Sequence, residues 1–244
     1  MSQNIFDNDI FFDQYLKLRQ GKNYNDLLEQ PAMAKLLPDI KGLAVLDIGC
    51  GYGKNCLNFA NSGARRVVGI DLSEKMLDIA KAKNSHPLIK YLRMDMKDIS
   101  AIQGKFDLVY SSLTFHYCED FKKLVADVYN LLNNGGRLLF SQEHPIVTAT
   151  IGLLGHYNTD SAGNSVSYTF SDYARSGKRS GEWFVDDVEN YHRTMGEIVT
   201  ALAQAGFIIE NLVEPLPDER AVNELESLKK EFIKPTFLII KAKK

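Results

Sequence analysis

The alternation of short apolar runs with amphipathic segments constrains this chain more than any other feature. "LAVLDIG" is rich in leucine and β-branched residues and is bounded by glycine, which predicts a buried strand. "KNCLNFANSG" follows, with Cys56, Leu57 and Ala60 at helical spacing and Gly63 as its stop. "ARRVVGIDLS" predicts a second strand ending at Asp71, and "SEKMLDIAKAKN" a helix capped by Ser73 with Met76, Leu77, Ile79 and Ala80 on one face. "LIKYLRMDM" and "KFDLVYSSLT" read as third and fourth strands, "FKKLVADVYNLLNNGG" as a helix closed by Asn-Asn-Gly-Gly, and "RLLFSQEHP" as the fifth strand. Strands separated by helices require right-handed crossovers, and hence a parallel sheet covered on both faces. The first two-thirds of the chain is therefore expected to be a doubly wound α/β fold.

From Ile146 to about Asn190 the pattern fails. This stretch is polar, rich in Gly and Ser, and dotted with Tyr, Phe and the single Trp. So long an interruption inside a compact domain is usually functional, and "VSYTFSDY" within it alternates as a strand or hairpin does. Regular structure resumes at "TMGEIVTALAQAG", where Thr194 and Glu197 have capping-box spacing and Gly206 ends the helix. "FIIENLVEP" is a sixth strand, "PDERAVNELESLKKEF" a charged helical stretch, and "TFLIIKAK" a last apolar run. The layout expected is one domain over 1–244: a helical cap (1–40), a ligand-binding core (41–145), a lid insertion (146–190), and a closing helix with strands (191–244).

Gly49, Gly51 and Gly53 follow the first strand, where an open α/β sheet exposes a crevice at the carboxyl ends of its strands. The dinucleotide fingerprint would need a third glycine at position 54, which is Lys54, and the loop also lacks the frame of a phosphate-binding P-loop. Asp47 at the strand tip would repel pyrophosphate and suits a cationic or hydroxyl-bearing ligand instead. Asp71, at the end of the second strand, sits where an acid accepts hydrogen bonds from ribose hydroxyls. Asp95 in "RMDM" is in position for an adenine amino group, with Met94 and Met96 as soft apolar contacts.

"VLDIGCGYG", "VVGIDLS", "MDM", "FDLVYSS" and "LLNNGGRLLFS", in that order over residues 40–142, resemble the motifs of class I S-adenosylmethionine-dependent methyltransferases. The resemblance implies a Rossmann-like sheet of seven mostly parallel strands, closed by "FIIENLVEP" and an antiparallel "TFLIIKAK". It also implies S-adenosylmethionine as cofactor and S-adenosylhomocysteine as product. Carried over by position, it puts Asp47, Gly49 and Gly51 around the methionyl part, and Asp71 with Leu72 at the ribose. Asp95 and Met96 would meet the adenine, and Ser111 the methyl to be transferred. A related N-terminal segment would close over the cofactor, with Arg19 at its carboxylate and Tyr15 at its methionyl end; these two share a helix face at i, i+4. A weaker resemblance, in "EHP", the Trp-bearing insertion and "YHRT", points to an uncharacterised bacterial subgroup of small-molecule methyltransferases.

Methyl transfer from a sulfonium is an in-line displacement, for which alignment and sometimes a base suffice, so no metal is expected. His116 in "SSLTFHYCED" is either a base or a packing residue of that loop, and Tyr117 either lines the acceptor pocket or covers the next helix. Glu143 and His144 stand at another strand tip. Tyr191, His192 and Arg193 form a second polar cluster, in which Arg193 either clamps an acceptor anion or pairs with the acids of "DDVEN".

The net charge of −2 gives no field that would favour nucleic acid, and no apolar stretch approaches bilayer length. The N-terminus lacks the basic and apolar regions of a signal peptide, so a cytoplasmic location is expected. Three cysteines without C-x-x-C spacing argue against a disulfide framework or zinc site. The reading is a methyltransferase acting on a small-molecule acceptor, without nucleic acid or membrane as partner, as a monomer or homodimer. Two other classes stand beside it: a nucleic-acid or protein methyltransferase, and a non-catalytic S-adenosylmethionine-binding regulator.

Overall fold

The computed structural model describes residues 3–151 and 155–244; positions 1–2 of the expected cap and 152–154 of the expected insertion lie outside the described residues. Two N-terminal helices, α1 (Asp9–Gln20) and α2 (Gln30–Leu36), precede the first strand, β1 (Ala44–Ile48). There follow α3 (Lys54–Asn61), β2 (Arg66–Asp71), α4 (Glu74–Lys83), β3 (Ile89–Arg93) and β4 (Phe106–Ser111). Next come α5 (Phe121–Leu131), β5 (Leu132–Glu143) and the single turn α6 (Pro145–Thr148). Two hairpins fill the irregular region: β6 (His156–Thr159) with β7 (Ser165–Thr169), and β8 (Gly177–Trp183) with β9 (Val185–His192). The chain ends with α7 (Met195–Ala205), β10 (Ile208–Val213), α8 (Glu219–Glu224) and β11 (Phe237–Lys243).

Seven strands form one sheet in the order β10-β11-β5-β4-β1-β2-β3, with β11 antiparallel to both neighbours and the β1 to β5 pairings all parallel. This is the seven-stranded, mostly parallel sheet that the sequence predicts. Chain order reverses across β1 and β4, and their carboxyl ends therefore open a crevice. The strand period of two sorts side chains onto opposite faces. Leu46, Ile48, Val68, Val109 and Phe140 face α5 and α7, whereas Val45, Val67, Leu108 and Tyr110 face α2 and α3.

Local signals act largely as read. Ser73 caps α4 by accepting from Met76 N, and Thr194 and Glu197 form a reciprocal capping box on α7, which ends at left-handed Gly206 (φ 101°). Two details differ. Helix α5 stops at Leu131, and Asn133–Gly136 bulge out of β5 between Leu132 and Arg137, because Leu132 is already paired with Phe106 of β4. The charged stretch after Pro217 splits into α8 and a separate 3₁₀ segment, Glu226–Phe232, with Leu225 extended between them.

Alternation has a consequence for Asp47. It lies on the Val45 face of β1, toward α3, where it is 1% exposed and accepts a hydrogen bond from the Cys56 thiol at 3.3 Å. Burial raises its pKa to about 7, with the Cys56 contact opposing and nearby Asp71 adding to the shift. An acid whose folded pKa lies above its unfolded one gives most stability while protonated in the fold. Stability should therefore fall as pH rises from about 4 through about 7. Asp47→Asn is expected to flatten that decline by on the order of a few kcal/mol, measured by urea unfolding at pH 5 and pH 8. Gly69, opposite Asp47 in β2, offers a second check of the packing. An added Cβ would lie 2.7 Å from Cys56 Sγ and 2.9 Å from Cys50 Sγ, so Gly69→Ala should lower stability by about 1–3 kcal/mol in the same assay.

Candidate active site

The turn after β1 is held by the next strand. Gly49 N–H and Cys50 N–H both donate to Ile70 O, at 2.8 and 2.9 Å, and Gly51 N–H donates to Asp71 Oδ2 at 2.8 Å. Asp71 Oδ1 accepts from Ser73 N–H, also at 2.8 Å, so one carboxylate fastens the glycine turn to the start of α4. Two glycines are required here for different reasons. Gly49 (φ 73°) meets the loop after β4 so closely that a Cβ would fall 2.2 Å from Thr114 Oγ1. At Gly51 (φ 53°) nothing lies within 4 Å of where a Cβ would stand; the backbone there borders open space.

That space is a cavity of about 430 Å³. Gly49, Gly51, Asp71, Leu72, Asp95 and Met96 line one side, and Tyr15, Arg19, His116 and Tyr117 close it from others. Both aspartates here are oriented by main chain: Asp71 as above, and Asp95 by accepting from Lys97 N–H at 3.1 Å. Burial raises the pKa of Asp71, with main-chain donors opposing. Arg19 is tied to Asn23 (3.1 Å) and Asp26 (3.5 Å), its side chain is 10% exposed, and its Nε is buried without a hydrogen-bond partner. Tyr15 is pushed up to about 12 by burial, opposed by the Arg19 charge, and stays neutral.

Six candidate residues named from the sequence do not line this cavity; one of them, His144, is engaged instead with Glu214 (2.9 Å) and with Ile146 N–H (3.1 Å). Asp47 sits beneath the turn for the reason given above. Ser111 is fully buried and donates to Ile48 O at 2.8 Å, bracing β4 on β1; the next residue, Ser112, reaches the cavity instead. His192 is wholly buried between Thr148 Oγ1 (2.8 Å) and Tyr173 O (2.9 Å), and so serves the packing of the insertion. Arg193 pairs with none of the acids of "DDVEN". Its Nη2 donates to Cys118 O and to Glu119 O (3.0 Å), and the guanidinium lies over the Phe121 ring at 5.1 Å. Tyr191 faces a neighbouring groove with Glu119 and Glu189. The "YHRT" cluster is thus a fastening between the insertion and the β4–α5 loop.

The cavity also uses residues that sequence reasoning passed over. Glu29 is fully buried and accepts from Ser112 Oγ (3.0 Å), Ser141 Oγ and Gln30 Nε2 (2.8 Å), which binds the N-terminal cap to the ends of β4 and β5. Its signal was a lone carboxylate in the apolar run "LLEQPAM". Burial raises its pKa, against those hydrogen bonds. Ser141 also accepts from Leu113 N–H at 3.0 Å, fixing Leu113 at φ 52° on the rim. Trp183, at the tip of the β8–β9 hairpin, closes the cavity and meets Phe11 (5.0 Å) and Tyr15 (6.2 Å) edge-on. Glu143, which the sequence does place at a strand tip, lines the same space, and its N–H donates to His116 Nδ1 at 3.4 Å. His116 is 4% exposed, and burial holds its pKa below the usual imidazole range.

A methyltransferase-domain family model matches residues 46–140, the segment that builds the glycine turn and the cavity floor. A putative S-adenosylmethionine-dependent methyltransferase from Listeria monocytogenes superposes with a TM-score of 0.81 at 35% identity, covering 88% of this chain and 96% of that one. An S-adenosylmethionine-dependent methyltransferase from Mesorhizobium loti gives 0.81 at 36% identity, covering 88% and 97%. A malonyl-[acyl-carrier protein] O-methyltransferase from Hamiltonella defensa is 34% identical over 109 residues, which is only 45% of this chain and 41% of that protein. Sharing its sheet, its glycine turn and nearly the full length of two such proteins, the chain belongs to the class I S-adenosylmethionine-dependent methyltransferases.

Proposed function

We propose that this methyltransferase moves the methyl group of S-adenosylmethionine to a small organic acceptor enclosed in the cavity between the strand tips, α1 and the β8–β9 hairpin. The observation that carries the reading is the cavity itself. It joins the turn at Gly49 and Gly51 to Asp71 and Asp95, and is roofed by the side chains of Tyr15 and Trp183. A nucleoside carrying a charged amino-acid tail suits that set. The vacant side of Gly51 admits a ligand against the backbone, and the unpartnered Arg19 Nε suits a carboxylate.

In this reading Asp71, with Leu72 beside it, holds the ribose hydroxyls. Asp95 and the Met96 backbone meet the adenine, Tyr15 and Arg19 the amino-acid end. Asp47 and Ser111 act from below, keeping the turn and the β1–β4 seam in shape. Bound S-adenosylmethionine supplies a methyl carbon already activated by a cationic sulfur. The chain's own contribution is alignment and the exclusion of water. Glu29 and its serine partners hold the cap down, and Trp183 covers the opening. An enclosed cavity and the absence of a basic surface signal favour a small acceptor over a nucleic acid. No helix among the described residues is long and apolar enough to cross a membrane.

Isothermal titration should detect S-adenosylhomocysteine binding to the wild-type protein. Asp71→Ala is expected to weaken it by about 10- to 100-fold, since both ribose contacts and the Gly51 N–H bond are lost. An unaltered affinity in that variant would falsify the ribose assignment.

A further inference from the structure

One carboxylate of the cavity has no task on the donor side. Glu143, at the carboxyl end of β5, is half-buried and opens into the same space as Tyr117 and Trp183. Asn190 Nδ2 donates to its Oε2 at 3.0 Å, which steadies the side chain from the β8–β9 hairpin. Its Oε1 accepts no hydrogen bond among the described residues. Beside it, His116 Nδ1 is the acceptor of the Glu143 N–H, so in the neutral ring the proton sits on Nε2. His116 Nε2 can therefore donate, and Glu143 is the carboxylate beside it.

Aromatic rings continue away from this carboxylate. Tyr117 meets Phe6 edge-on at 6.2 Å, Phe6 meets Tyr15 at 5.2 Å, and Tyr15 meets Trp183 at 6.2 Å. The cations nearby are already committed. Arg19 and Lys54, which line the cavity, share Asp26 Oδ1. Lys234 does not line it; it lies over Tyr157 and Tyr168 and its charge is shared between Glu231 and Glu143, and Arg193 is spent on three carbonyl groups. A carboxylate with an open oxygen at the end of an aromatic wall favours a ligand that is, or becomes, positively charged.

We propose that the methyl acceptor is an amine, its nitrogen held by Glu143 against this wall. The assignment rests on the methyl-donor reading of the cavity given above. The amine, arriving as an ammonium, first gives one N–H proton to solvent by way of Glu143, which frees its lone pair. The nitrogen then forms its bond to the methyl carbon as the carbon–sulfur bond breaks and its electron pair passes to sulfur. Positive charge thus leaves sulfur and arrives again on nitrogen beside Glu143. A carboxylate, phenolate or thiolate acceptor would bring an anion to the same place, and Glu143 opposes it.

Trp183 is the only tryptophan and stands at the far end of this aromatic wall, so its fluorescence reports on ligands that fill the cavity along it. With S-adenosylhomocysteine bound, phenethylamine and its acidic counterpart 3-phenylpropanoate are titrated against wild type and Glu143→Gln. The amine should bind at least about 10-fold more tightly than the acid. Glu143→Gln should bring that ratio close to one while the melting temperature and S-adenosylhomocysteine affinity stay at wild-type values, which a merely structural carboxylate would not do. With labelled S-adenosylmethionine, N-methylphenethylamine should form and its rate drop about 100-fold in the variant. The acid binding as well as the amine, neither binding, or a ratio unmoved by the substitution would overturn the amine assignment. The wild-type preference decides this even if the variant does not fold. Failure of wild type to bind S-adenosylhomocysteine would be a separate result, and would remove the donor reading instead.

Discussion

The site depends on a seam of hydrogen bonds between the ends of β1 and β2. Gly49, Cys50 and Gly51 present three consecutive N–H groups, and β2 takes all of them, two at Ile70 O and one at Asp71. These are backbone donors that would otherwise be unsatisfied at a buried strand end. Because the strands are parallel, the same seam sets the height at which Ser73 starts α4 and the height at which the β4 loop brings Thr114 against Gly49. A shift of the β1 turn would move the floor of the cavity and its rim at Thr114 together.

That dependence explains what could be read from sequence. The strands, the crossover helices and the acids at the tips of β2 and β3 are local features written in apolar spacing and short motifs. They predict the sheet and most of the floor of the cavity: Gly49, Gly51, Asp71, Leu72, Asp95 and Met96 all line it. Tyr15 and Arg19, which helical spacing puts on one face and the family resemblance assigns to the ligand, come to the same cavity. Asp47 and Ser111 show where motif position and side-chain direction part. Each is near a strand tip, yet the two-residue period turns both away from the opening, and the neighbour Ser112 takes the rim.

The end of the cavity proposed for the acceptor was less legible because it is assembled from pieces far apart in the chain. Glu29 meets Ser141 across 112 residues, and Asn190 meets Glu143 across 47. Nothing in the local pattern of either segment announces its partner. The compact polar cluster Tyr191, His192 and Arg193 looked like chemistry, but packing consumes it: His192 is locked inside the insertion, and Arg193 satisfies the carbonyls that close the loop before α5. A dense run of polar residues marks a place where hydrogen bonds must be made, and here the chain makes them with itself.

The β8–β9 hairpin pairs only with itself and shares no strand ladder with the seven-stranded sheet. Its tip nevertheless supplies Trp183, and its second strand supplies Asn190. Its tip instead rests on Phe11 and Tyr15 of the N-terminal cap, so a change of length or side chain there reaches the cavity through the cap and leaves the register of the seven-stranded sheet untouched.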